Sequence, residues 1–273
     1  HGVPMIGCEC PVCTSDNPYN FRTRSSVILG LPEGNLLIDT TPELRLQLLR
    51  ERIGRIHAVL YTHDHADHLF GLDDLRIFAE YLGRDLPVYC EPFVERRIRR
   101  TIDYAFDAVA RSYQAGGVPL LTFCPIDREP FDVLGARVVP IRLRHGCFDV
   151  LGYRFGDVAY CTDVKEVPPE SMAKLEGLDT LILDCLRREP HVSHLSLGEA
   201  VALAQRLGPH GFQKRVALKC ILPQHARDPD FVAMFIDEAR LAARIKHPNV
   251  VETLDILTMD QELLLVMEYI RGE

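Results

Sequence analysis

The chain has 273 residues, of which 47% are hydrophobic and 26% are charged, as in ordinary globular domains. This balance excludes a disordered, collagenous or disulfide-framework protein, and the length fits one large domain or one domain plus part of another. The formal net charge is -8 at pH 7, which argues against a sequence-independent nucleic-acid binder, because such proteins need a basic surface.

Cysteine usage predicts a reducing compartment. Three of the nine cysteines lie close together at Cys8, Cys10 and Cys13, which is typical of metal ligands. The other six are scattered, several of them in apolar runs where cysteine acts as a small buried hydrophobic side chain. No apolar run reaches the roughly 18 residues of a membrane span, and no signal peptide is visible. We therefore expect a cytoplasmic protein with no membrane partner.

Strand and helix patterns alternate along the first 207 residues, which predicts an α/β fold. Apolar runs typical of strands are Ser26–Leu31, Asn35–Asp39, His57–Thr62, Pro87–Tyr89, Arg137–Leu143, Val158–Cys161 and Thr180–Asp184. Helical periodicity covers Pro42–Ile53, Leu72–Leu82, Pro92–Ser112 and Leu197–Leu207. The last of these follows a capping box formed by Ser196 and Glu199. Because a very short link joins the first two strands, they form a hairpin and the sheet is partly antiparallel.

The pattern changes near residues 208–214, where a glycine and a proline after Leu207 indicate the end of a helix. The remaining residues predict a strand at Arg215–Ile221, a charged helix at Asp230–Ile245, and strands at Val250–Leu257 and Leu263–Tyr269. We therefore predict two domains, residues 1–207 and residues 208–273. The first residue is His1, not Met, so we expect a chain that starts inside a longer reading frame or has been processed.

The strongest chemical signal is the sequence THDHADH at Thr62–His68, which follows an apolar strand. Imidazole and carboxylate are ligands for zinc and similar metals. One turn cannot direct four side chains at a single ion, so we expect His63 and His65 to bind one ion. Asp67 and His68 would then bind a second, neighbouring ion. The alternative is a His-rich polar surface loop, which this density of ligands at a strand end does not favour.

Polar side chains also follow other predicted strands, at Asp39, His145, Asp163 and Asp184. Taken singly, each is more often a strand-end cap or a turn residue. Polar residues placed where apolar strands stop can nevertheless converge on one edge of a sheet. Beside the His-rich segment, His145 and Asp163 therefore become candidate ligands.

Together these residues resemble the signature of the metallo-β-lactamase superfamily of metallohydrolases. THDHADH matches the superfamily motif, and Asp39, His145 and Asp163 stand in the usual order. The opening segment Gly2–Cys13 and the segment Pro190–Ser196 resemble the subgroup that contains phosphoribosyl 1,2-cyclic phosphate phosphodiesterase. That subgroup is similar to the transfer-RNA 3′-processing endonucleases. The resemblance covers about residues 1–207 and implies a metallo-β-lactamase-like αββα sandwich.

The resemblance implies a two-metal hydrolase that acts on a small, cyclic phosphodiester, with zinc or manganese as the two divalent ions. The implied ligands are His63, His65 and His145 for the first ion, Asp67 and His68 for the second, and Asp163 as the bridge. Asp39 would orient a ligand histidine, and Asp67 would also belong to the catalytic centre. His194 would be the general acid. The alternative for His194 is a helix-entry residue just before the cap at Ser196.

Two further clusters have alternative interpretations. The cluster of Cys8, Cys10 and Cys13 resembles a structural zinc site of the same subgroup, in which a late histidine is the fourth ligand. Its alternative is a reduced, metal-free loop, whereas a catalytic role would need an adjacent base. The predicted helix Pro92–Ser112 carries a run of arginines that could receive a phosphate-rich substrate but is more often a solvated face. These residues are Arg96, Arg97, Arg99 and Arg100.

After Leu207 the sequence departs from the family pattern. Relatives continue with a strand and a Thr-His segment that brings the last histidine of the second metal, whereas Gly211–Lys219 stands in that place here. The strand and glycine turn expected before the opening segment are also missing. We therefore expect an incomplete sandwich, with weakened occupancy of a second metal site that keeps only Asp67, His68 and Asp163.

Residues 208–273 resemble part of the small lobe of Ser/Thr protein kinases. The resemblance lies in Val216–Lys219, in the helix with Glu238, in His247–Val251 and in Leu265–Tyr269. It implies that Lys219 is the strand lysine, that Glu238 is its partner, and that the hinge opens at Met267 to Ile270. The Gly-rich phosphate loop, the catalytic-loop Asp and the Asp-Phe-Gly segment are missing, so we do not expect kinase activity.

Three hypotheses for function follow. The first is a metal-dependent hydrolase of the phosphodiesterase type, impaired by loss of the last ligand segment. The second is a kinase-derived nucleotide-binding or regulatory module, and the third is a non-catalytic fusion remnant. Thioester and lactone substrates also suit such a metal core, whereas the acidic charge disfavours nucleic acid. Apolar faces of the incomplete kinase-like lobe predict docking on the hydrolase body or association into a homodimer.

Overall fold

The computed structural model describes residues 3–112, 117–207, 216–220, 236–237, 253–259 and 262–268. The chain divides into two compact units, residues 1–211 and 212–273, and each is described by itself. The predicted domain boundary after Leu207 stays a prediction, because residues 208–215 lie outside the described residues.

The first sheet of the larger unit contains five strands in chain order within the described residues. They are β1 (Val27–Leu31), β2 (Gly34–Ile38), β3 (Ala58–Leu60), β4 (Leu86–Cys90) and β5 (Leu121–Pro125). β1 and β2 pair antiparallel, whereas β2, β3, β4 and β5 pair parallel. The predicted hairpin is therefore confirmed, and the parallel strands direct their carboxyl ends toward one edge of the sheet.

The second sheet is also five-stranded in the described part of the chain and is mostly antiparallel. Its strands are β6 (Phe131–Val133), β7 (Ala136–His145), β8 (Phe148–Phe155), β9 (Val158–Cys161) and β10 (Thr180–Leu183). They lie in the order β10-β9-β8-β7-β6, and within this sheet β9 and β10 are the one parallel pair among the described strands.

Helices cover the outer faces of the two sheets. They are α1 (Leu44–Arg50), α2 (Ala66–Leu69), α3 (Arg76–Leu82), α4 (Pro92–Thr101), α5 (Ala108–Ser112), α6 (Pro169–Met172) and α7 (Leu197–Leu207). Short 3-10 turns lie at Pro18–Asn20, Leu72–Leu75, Asp103–Phe106 and Ala173–Leu175.

The two sheets pack face to face between two layers of helices, and side chains that alternate along each strand fill the cores between the layers. On β2, Leu37 packs with the helices of the first sheet, whereas Leu36 and Ile38 pack with side chains of the second sheet such as Leu151 and Tyr153. Successive residues of a strand point to opposite faces, so a run of three buried residues serves two cores. A third cluster lies between the second sheet and the helices α6 and α7. The predicted αββα sandwich is confirmed.

The predicted helix Pro92–Ser112 is wrong as a single element. The first helix ends at Thr101, and the buried residue Ile102 after it has non-helical backbone (φ -125°, ψ 51°). A 3-10 turn follows, and a new helix starts where the Asp107 carboxylate accepts hydrogen bonds from the N–H groups of Val109 and Ala110. The helical spacing of apolar residues continues across this break, so the periodicity alone does not reveal it.

Three strands were not predicted from the sequence: β5, β6 and β8. β6 has three residues, which is too short for an alternation to be visible. β8 contains Gly152, which sequence rules place in turns or bulges rather than strand interiors. A Cβ at this position would lie 2.9 Å from the carbonyl oxygen of Tyr160, so the close approach of β9 requires glycine there.

The smaller unit contains a three-stranded antiparallel sheet in its described residues. Its strands are β11 (Val216–Cys220), β12 (Thr253–Met259) and β13 (Glu262–Glu268), in the order β11-β13-β12. The three predicted strands are confirmed, and Lys219 lies on β11 opposite Leu265. The predicted helix Asp230–Ile245, with Glu238, lies outside the described residues apart from positions 236–237, which are helical. The predicted segments at 247–251 and 269–270 also lie outside them.

Candidate metal centre

The His-rich segment connects β3 to the short helix α2. His63 and His65 lie in the irregular residues after β3, and Asp67 and His68 lie on α2. Extended backbone at His65 (φ -67°, ψ 151°) precedes the first helical residue. One strand end followed at once by one helical turn therefore brings all four side chains to the same edge of the first sheet.

The loop after β2 holds this turn in place. The N–H of Thr40 donates to the carbonyl of His68 at 2.7 Å, and the Thr40 hydroxyl donates to the carbonyl of Leu69 at 3.0 Å. The N–H of Gly71 donates back to the carbonyl of Thr40 at 3.0 Å. A Cβ at Gly71 would lie 1.9 Å from the carbonyl oxygen of Thr41, so this close approach requires glycine.

Asp39 links the loop directly to the His-rich segment. Its Oδ1 accepts from the N–H of Thr62 at 2.8 Å, and its Oδ2 accepts from the Thr62 hydroxyl at 2.8 Å and from Nδ1 of His68 at 2.7 Å. The side chain is fully buried, and its backbone is left-handed with a φ of 61°. Such a conformation persists where surrounding contacts over-determine it, often at functional sites. Asp39 therefore lies where the family resemblance places an orienting carboxylate.

Hydrogen bonds at Nδ1 fix the orientation of three imidazoles. Nδ1 of His68 donates to Asp39, and Nδ1 of His145 donates to the carbonyl of Ser193 at 2.8 Å. Nδ1 of His63 lies 2.9 Å from the Thr62 hydroxyl, which itself donates to Asp39. The neutral form of each ring then carries its proton on Nδ1 and presents the Nε2 lone pair, which is the arrangement that metal ligation requires.

The three Nε2 atoms surround one oxygen of Asp163. Oδ2 of Asp163 lies 3.6 Å from Nε2 of His63, 3.4 Å from that of His68 and 3.5 Å from that of His145. Asp163 follows β9 in the second sheet, and its φ of 49° is again left-handed. The site is therefore built across both sheets, with one carboxylate at its middle.

Burial and charge set the protonation of these groups. Burial lowers the pKa of His63 to about 2 and also lowers the pKa of His145, so both rings are neutral near pH 7. Burial opposes the charged form of His68 too, but the carboxylates of Asp39 and Asp163 outweigh it and raise its pKa. Burial acts to raise the pKa of Asp163, yet the neighbouring histidines, His68 first, lower it. The site therefore favours a cation beside Asp163.

The donor atoms fall into two groups that share Asp163. Within each group the atoms lie within 4.8 Å of one another, and the groups are His63, His65, His145 and Asp163, and Asp67, His68 and Asp163. Nε2 of His63 is buried and has no hydrogen-bond partner among the described residues. A buried, unpartnered imidazole nitrogen calls for an ion or a water. The residues present therefore fit two divalent ions bridged by a carboxylate.

His194 and Asp184 form a hydrogen-bonded pair beside these groups. Nδ1 of His194 lies 2.8 Å from Oδ2 of Asp184, and the same oxygen accepts from the N–H of Val164 at 3.2 Å. The rings of His194 and His145 are 4.6 Å apart. The hydrogen bond to Asp184 raises the pKa of His194, which favours the protonated ring. The structure thus brings the predicted acid and the candidate ligand His145 together.

A cleft of about 230 Å³ opens onto this centre. Its lining includes Asp67, His68, Asp163, Asp184, His194 and Arg24. The donor group of Asp67 and His68, the shared Asp163 and the candidate acid therefore contribute to one concave surface, which is the usual form of a small-molecule site.

The cysteine cluster also assembles. The Sγ atoms of Cys8, Cys10 and Cys13 lie within 4.8 Å of one another, and the N–H of Met5 donates to Sγ of Cys13 at 3.4 Å. A backbone hydrogen bond from Cys13, followed by contacts with the other thiols, lowers the pKa of Cys10 to about 7. The group found in the described residues has three donors, so structural zinc would need a fourth ligand.

The arginine run forms a solvated face, as the second interpretation of the sequence predicted. All four arginines of α4 are exposed, and none of them lines the cleft among the described residues. Nε of Arg97 donates to Asp64 at 3.0 Å, and Arg99 lies 4.6 Å from the ring centre of Phe106. Arg97 therefore contacts the edge of the His-rich segment rather than the cleft.

Sequence reasoning missed two contributions to the site. The carbonyl of Ser193 orients His145, and Arg24 lines the cleft. A main-chain carbonyl leaves no trace in residue type, and the segment before β1 carries no periodic pattern. Both contributions become visible once the fold brings Ser193 next to His145 and Arg24 next to the cleft.

A family model described as the beta-lactamase superfamily domain matches residues 34–216, which is more than half of the chain. The chain therefore belongs to the β-lactamase superfamily, and the larger unit has the metallo-β-lactamase fold. A second family, protein tyrosine and serine/threonine kinase, matches residues 198–273. The predicted succession of a metallohydrolase domain and part of a kinase domain is confirmed.

Known proteins resemble the two parts separately. The solved structure of a diphosphatase from the PhnP family is 40% identical, with a TM-score of 0.68, and the match covers 76% of this chain and 77% of that one. The octanoyltransferase of Porphyromonas gingivalis is 38% identical over 210 residues, which are 76% of this chain and 42% of that protein. The tyrosine-protein kinase MasK of Myxococcus xanthus is 44% identical over 73 residues, which are 27% of this chain and 11% of that protein. The chain spans less than half the length of these curated relatives.

None of the helices in the described part of the chain combines the length and the apolar character that crossing a membrane requires.

Proposed function

We propose that the larger unit is a metal-dependent phosphodiesterase that hydrolyses a small substrate whose phosphorus carries two bridging oxygens. Such phosphorus occurs in cyclic phosphodiesters and in substituted diphosphates alike. The observation that carries the proposal is the convergence of the Nε2 atoms of His63, His68 and His145 on Oδ2 of Asp163, beside His194. The diphosphatase that shares 40% identity supports phosphorus chemistry.

The grouping of donor atoms supports a site for two divalent ions, which we propose to be zinc or manganese. His63, His65 and His145 would hold the first ion, Asp67 and His68 the second, and Asp163 would bridge them. Such a pair of ions supplies activation of water and neutralises charge on the phosphoryl oxygens. The protein keeps the ligand nitrogens unprotonated at His63 and His145 through burial, which lowers the pKa of each. Asp39 and Ser193 hold the rings in ligating orientation.

His194 would deliver the proton that the leaving oxygen needs. Asp184 accepts from Nδ1, so Nε2 of a protonated His194 is the nitrogen that donates toward the cleft. The raised pKa of His194, caused first by its hydrogen bond to Asp184, increases the protonated fraction near neutral pH. Asp184 also binds the backbone at Val164, so the pair is fixed to the strand end that carries Asp163.

The size and charge of the site favour a small substrate. A cleft of about 230 Å³ accommodates part of a nucleotide-sized molecule but not a folded RNA. The net charge of -8 also disfavours a polyanion with many phosphate contacts. A compact phosphodiester carries one negative charge and a disubstituted diphosphate carries two, which two divalent ions can neutralise.

Metal content and hydrolysis of bis(p-nitrophenyl) phosphate test the proposal together. We expect the parent to bind up to two ions in the centre, the second more weakly because its donor group has only Asp67, His68 and Asp163, and to hydrolyse the ester in a chelator-sensitive reaction. Asp67→Asn should lose one ion and most of the activity, whereas Asp64→Asn should keep both, because Asp64 contacts Arg97 and belongs to neither donor group. A folded parent without metal, or equal effects of both substitutions, would refute the assignment.

The leaving group tests His194 separately. A general acid accelerates loss of a basic leaving group by about 10²–10⁴-fold and matters little for p-nitrophenolate, which leaves without a proton. His194→Ala should therefore slow hydrolysis of an alkyl phosphodiester far more than that of the nitrophenyl ester. Equal losses on both substrates would show that His194 acts on structure or metal binding instead.

A further inference from the structure

The residues before β1 form part of the wall of the cleft. Arg24 and Ser25 line it together with Asp67, His68 and Asp163. These residues belong to no helix or strand, yet side chains of neighbouring elements fix their backbone. A wall that is held in place can present a side chain to a ligand at a defined position.

Gln47 on α1 provides the first of these attachments. Its amide nitrogen donates to the carbonyl of Arg24 at 2.8 Å and to the hydroxyl of Thr23 at 2.9 Å, and its oxygen accepts from the Thr41 hydroxyl at 3.0 Å. The hydroxyl of Ser26 donates to the carbonyl of Asp39 at 2.9 Å. The wall is thus connected to the same loop that orients the metal ligands.

The guanidinium of Arg24 is also held in place. Its Nη1 donates to Oε1 of Glu43, and about one third of the Arg24 side chain remains exposed. A guanidinium carries five N–H donors in a planar fork, and this contact uses Nη1 alone. Glu43 therefore restrains the fork, and the N–H groups that this contact does not use remain as donors on a residue that lines the cleft.

Charge in the cleft points to the role of this fork. Asp67, Asp163 and Asp184 line the cleft, and divalent ions held by Asp67 and Asp163 would neutralise the phosphoryl group under attack. A second anionic group on the substrate needs a different cation. Among the described residues that line the cleft, Arg24 is the one arginine or lysine.

We propose that Arg24 binds a second anionic group of the substrate, so that a substituted diphosphate is preferred over a phosphodiester that carries a single charge. The inference rests on the proposed function and deepens it by naming the substrate class. Arginine is suited to this task because its fork matches the oxygens of a phosphate in a bidentate contact.

Binding of two phosphonates to the metal-loaded protein tests the inference without turnover. Methylenebisphosphonate has two anionic groups and methylphosphonate has one, and neither is hydrolysed. Calorimetry should give a ratio of the two affinities that falls about tenfold or more in Arg24→Ala, the size expected for loss of charge-assisted hydrogen bonds. Arg24→Lys, which keeps the charge and loses the fork, should give a smaller fall.

Arg22→Ala is the matched control, because Arg22 is exposed, lies two residues earlier and is not among the described residues that line the cleft. Its affinity ratio should equal that of the parent. Contacts between the phosphonates and the ions are common to all variants, so they cancel in the comparison. A merely structural role for Arg24 would weaken both phosphonates and leave the ratio unchanged.

The outcomes separate the two proposals. Three results would overturn the role of Arg24, even if the parent hydrolyses phosphodiesters. They are an affinity ratio that is unchanged in Arg24→Ala, an equal fall of that ratio in Arg22→Ala, and a parent that does not prefer the bisphosphonate. A parent that hydrolyses no phosphodiester, yet loses its preference for the bisphosphonate in Arg24→Ala, would refute the proposed function and leave the anion site in place.

Discussion

Replacement of Asp39 by Asn tests whether one buried carboxylate controls the second metal. Asn has nearly the same volume and also tolerates the left-handed backbone that Asp39 adopts, so the fold is preserved. The N–H of Thr62 can only donate, so the amide must place its oxygen at the Oδ1 position. The amide NH2 group then lies where Oδ2 accepts from His68, and Nδ1 of His68 meets a donor.

The expected loss follows from this exchange. His68 must move its proton to Nε2, which removes the lone pair of the proposed ligand atom, or it must rotate away from Asp163. Removal of a carboxylate that orients a ligand histidine reduces metal affinity by about 10–100-fold, and a factor of ten is about 1.4 kcal/mol. A loss of about 1.5–3 kcal/mol is also the size expected when a hydrogen bond to a charged group is removed.

The measurement is a competition titration of the two ions against a chelator, with circular dichroism to verify folding. Asp39→Asn should weaken the second ion by that factor and affect the first ion less, because the histidines of the first ion keep their ring orientation through Thr62 and Ser193. Asp64→Asn is the control for an Asp→Asn change in the same region. Parental affinities in folded Asp39→Asn would refute the reasoning.

Four further predictions follow from single contacts. Gly71→Ala should lower the free energy of unfolding by about 3 kcal/mol or more in a urea titration, because the new Cβ meets backbone at 1.9 Å, whereas Gly54→Ala has open space and should change it little. The Ser196 hydroxyl, which lies 2.8 Å from Glu199, belongs to the cap of α7. Ser196→Ala removes this hydroxyl and should lower the free energy of unfolding by about 1 kcal/mol in the same assay. Because neighbouring carboxylates raise the pKa of His68 against the effect of burial, the metal must displace a proton there. Affinity of the second ion should therefore fall as the pH falls, with a proton released per ion in a weakly buffered titration, and a pH-independent affinity would contradict this. Cys13→Ser should remove any ion bound at the cysteine cluster and leave hydrolysis at the parental rate, whereas equal metal content in both proteins would indicate a metal-free loop.

Features encoded by neighbouring residues were predicted correctly. The hairpin of β1 and β2 follows from two apolar runs with a short link that contains glycine, and the capping box follows from Ser196 and Glu199 at a spacing of three. The His-rich segment is visible because its ligands are close in the sequence. Such patterns depend on local geometry, which the residues dictate without reference to the rest of the chain.

Long elements and irregular strands were harder to predict. The apolar spacing of residues 92–112 continues through Ile102, but the helix ends at Thr101 and a 3-10 turn follows. β8 contains glycine and charged residues that obscure its alternation, and its neighbours in the sheet fix it as a strand. In both cases tertiary packing outweighs local preference.

Residue types alone show which side chains can bind metal, because that capacity belongs to imidazole and carboxylate groups wherever they occur. How these side chains combine depends on the folded chain. It brings Asp163, about a hundred residues after the His-rich segment, within 3.6 Å of three histidines, and it places Arg24 in the same cleft. These residues come together because the ends of strands from two packed sheets meet at one edge, and no local pattern encodes which distant ends will meet.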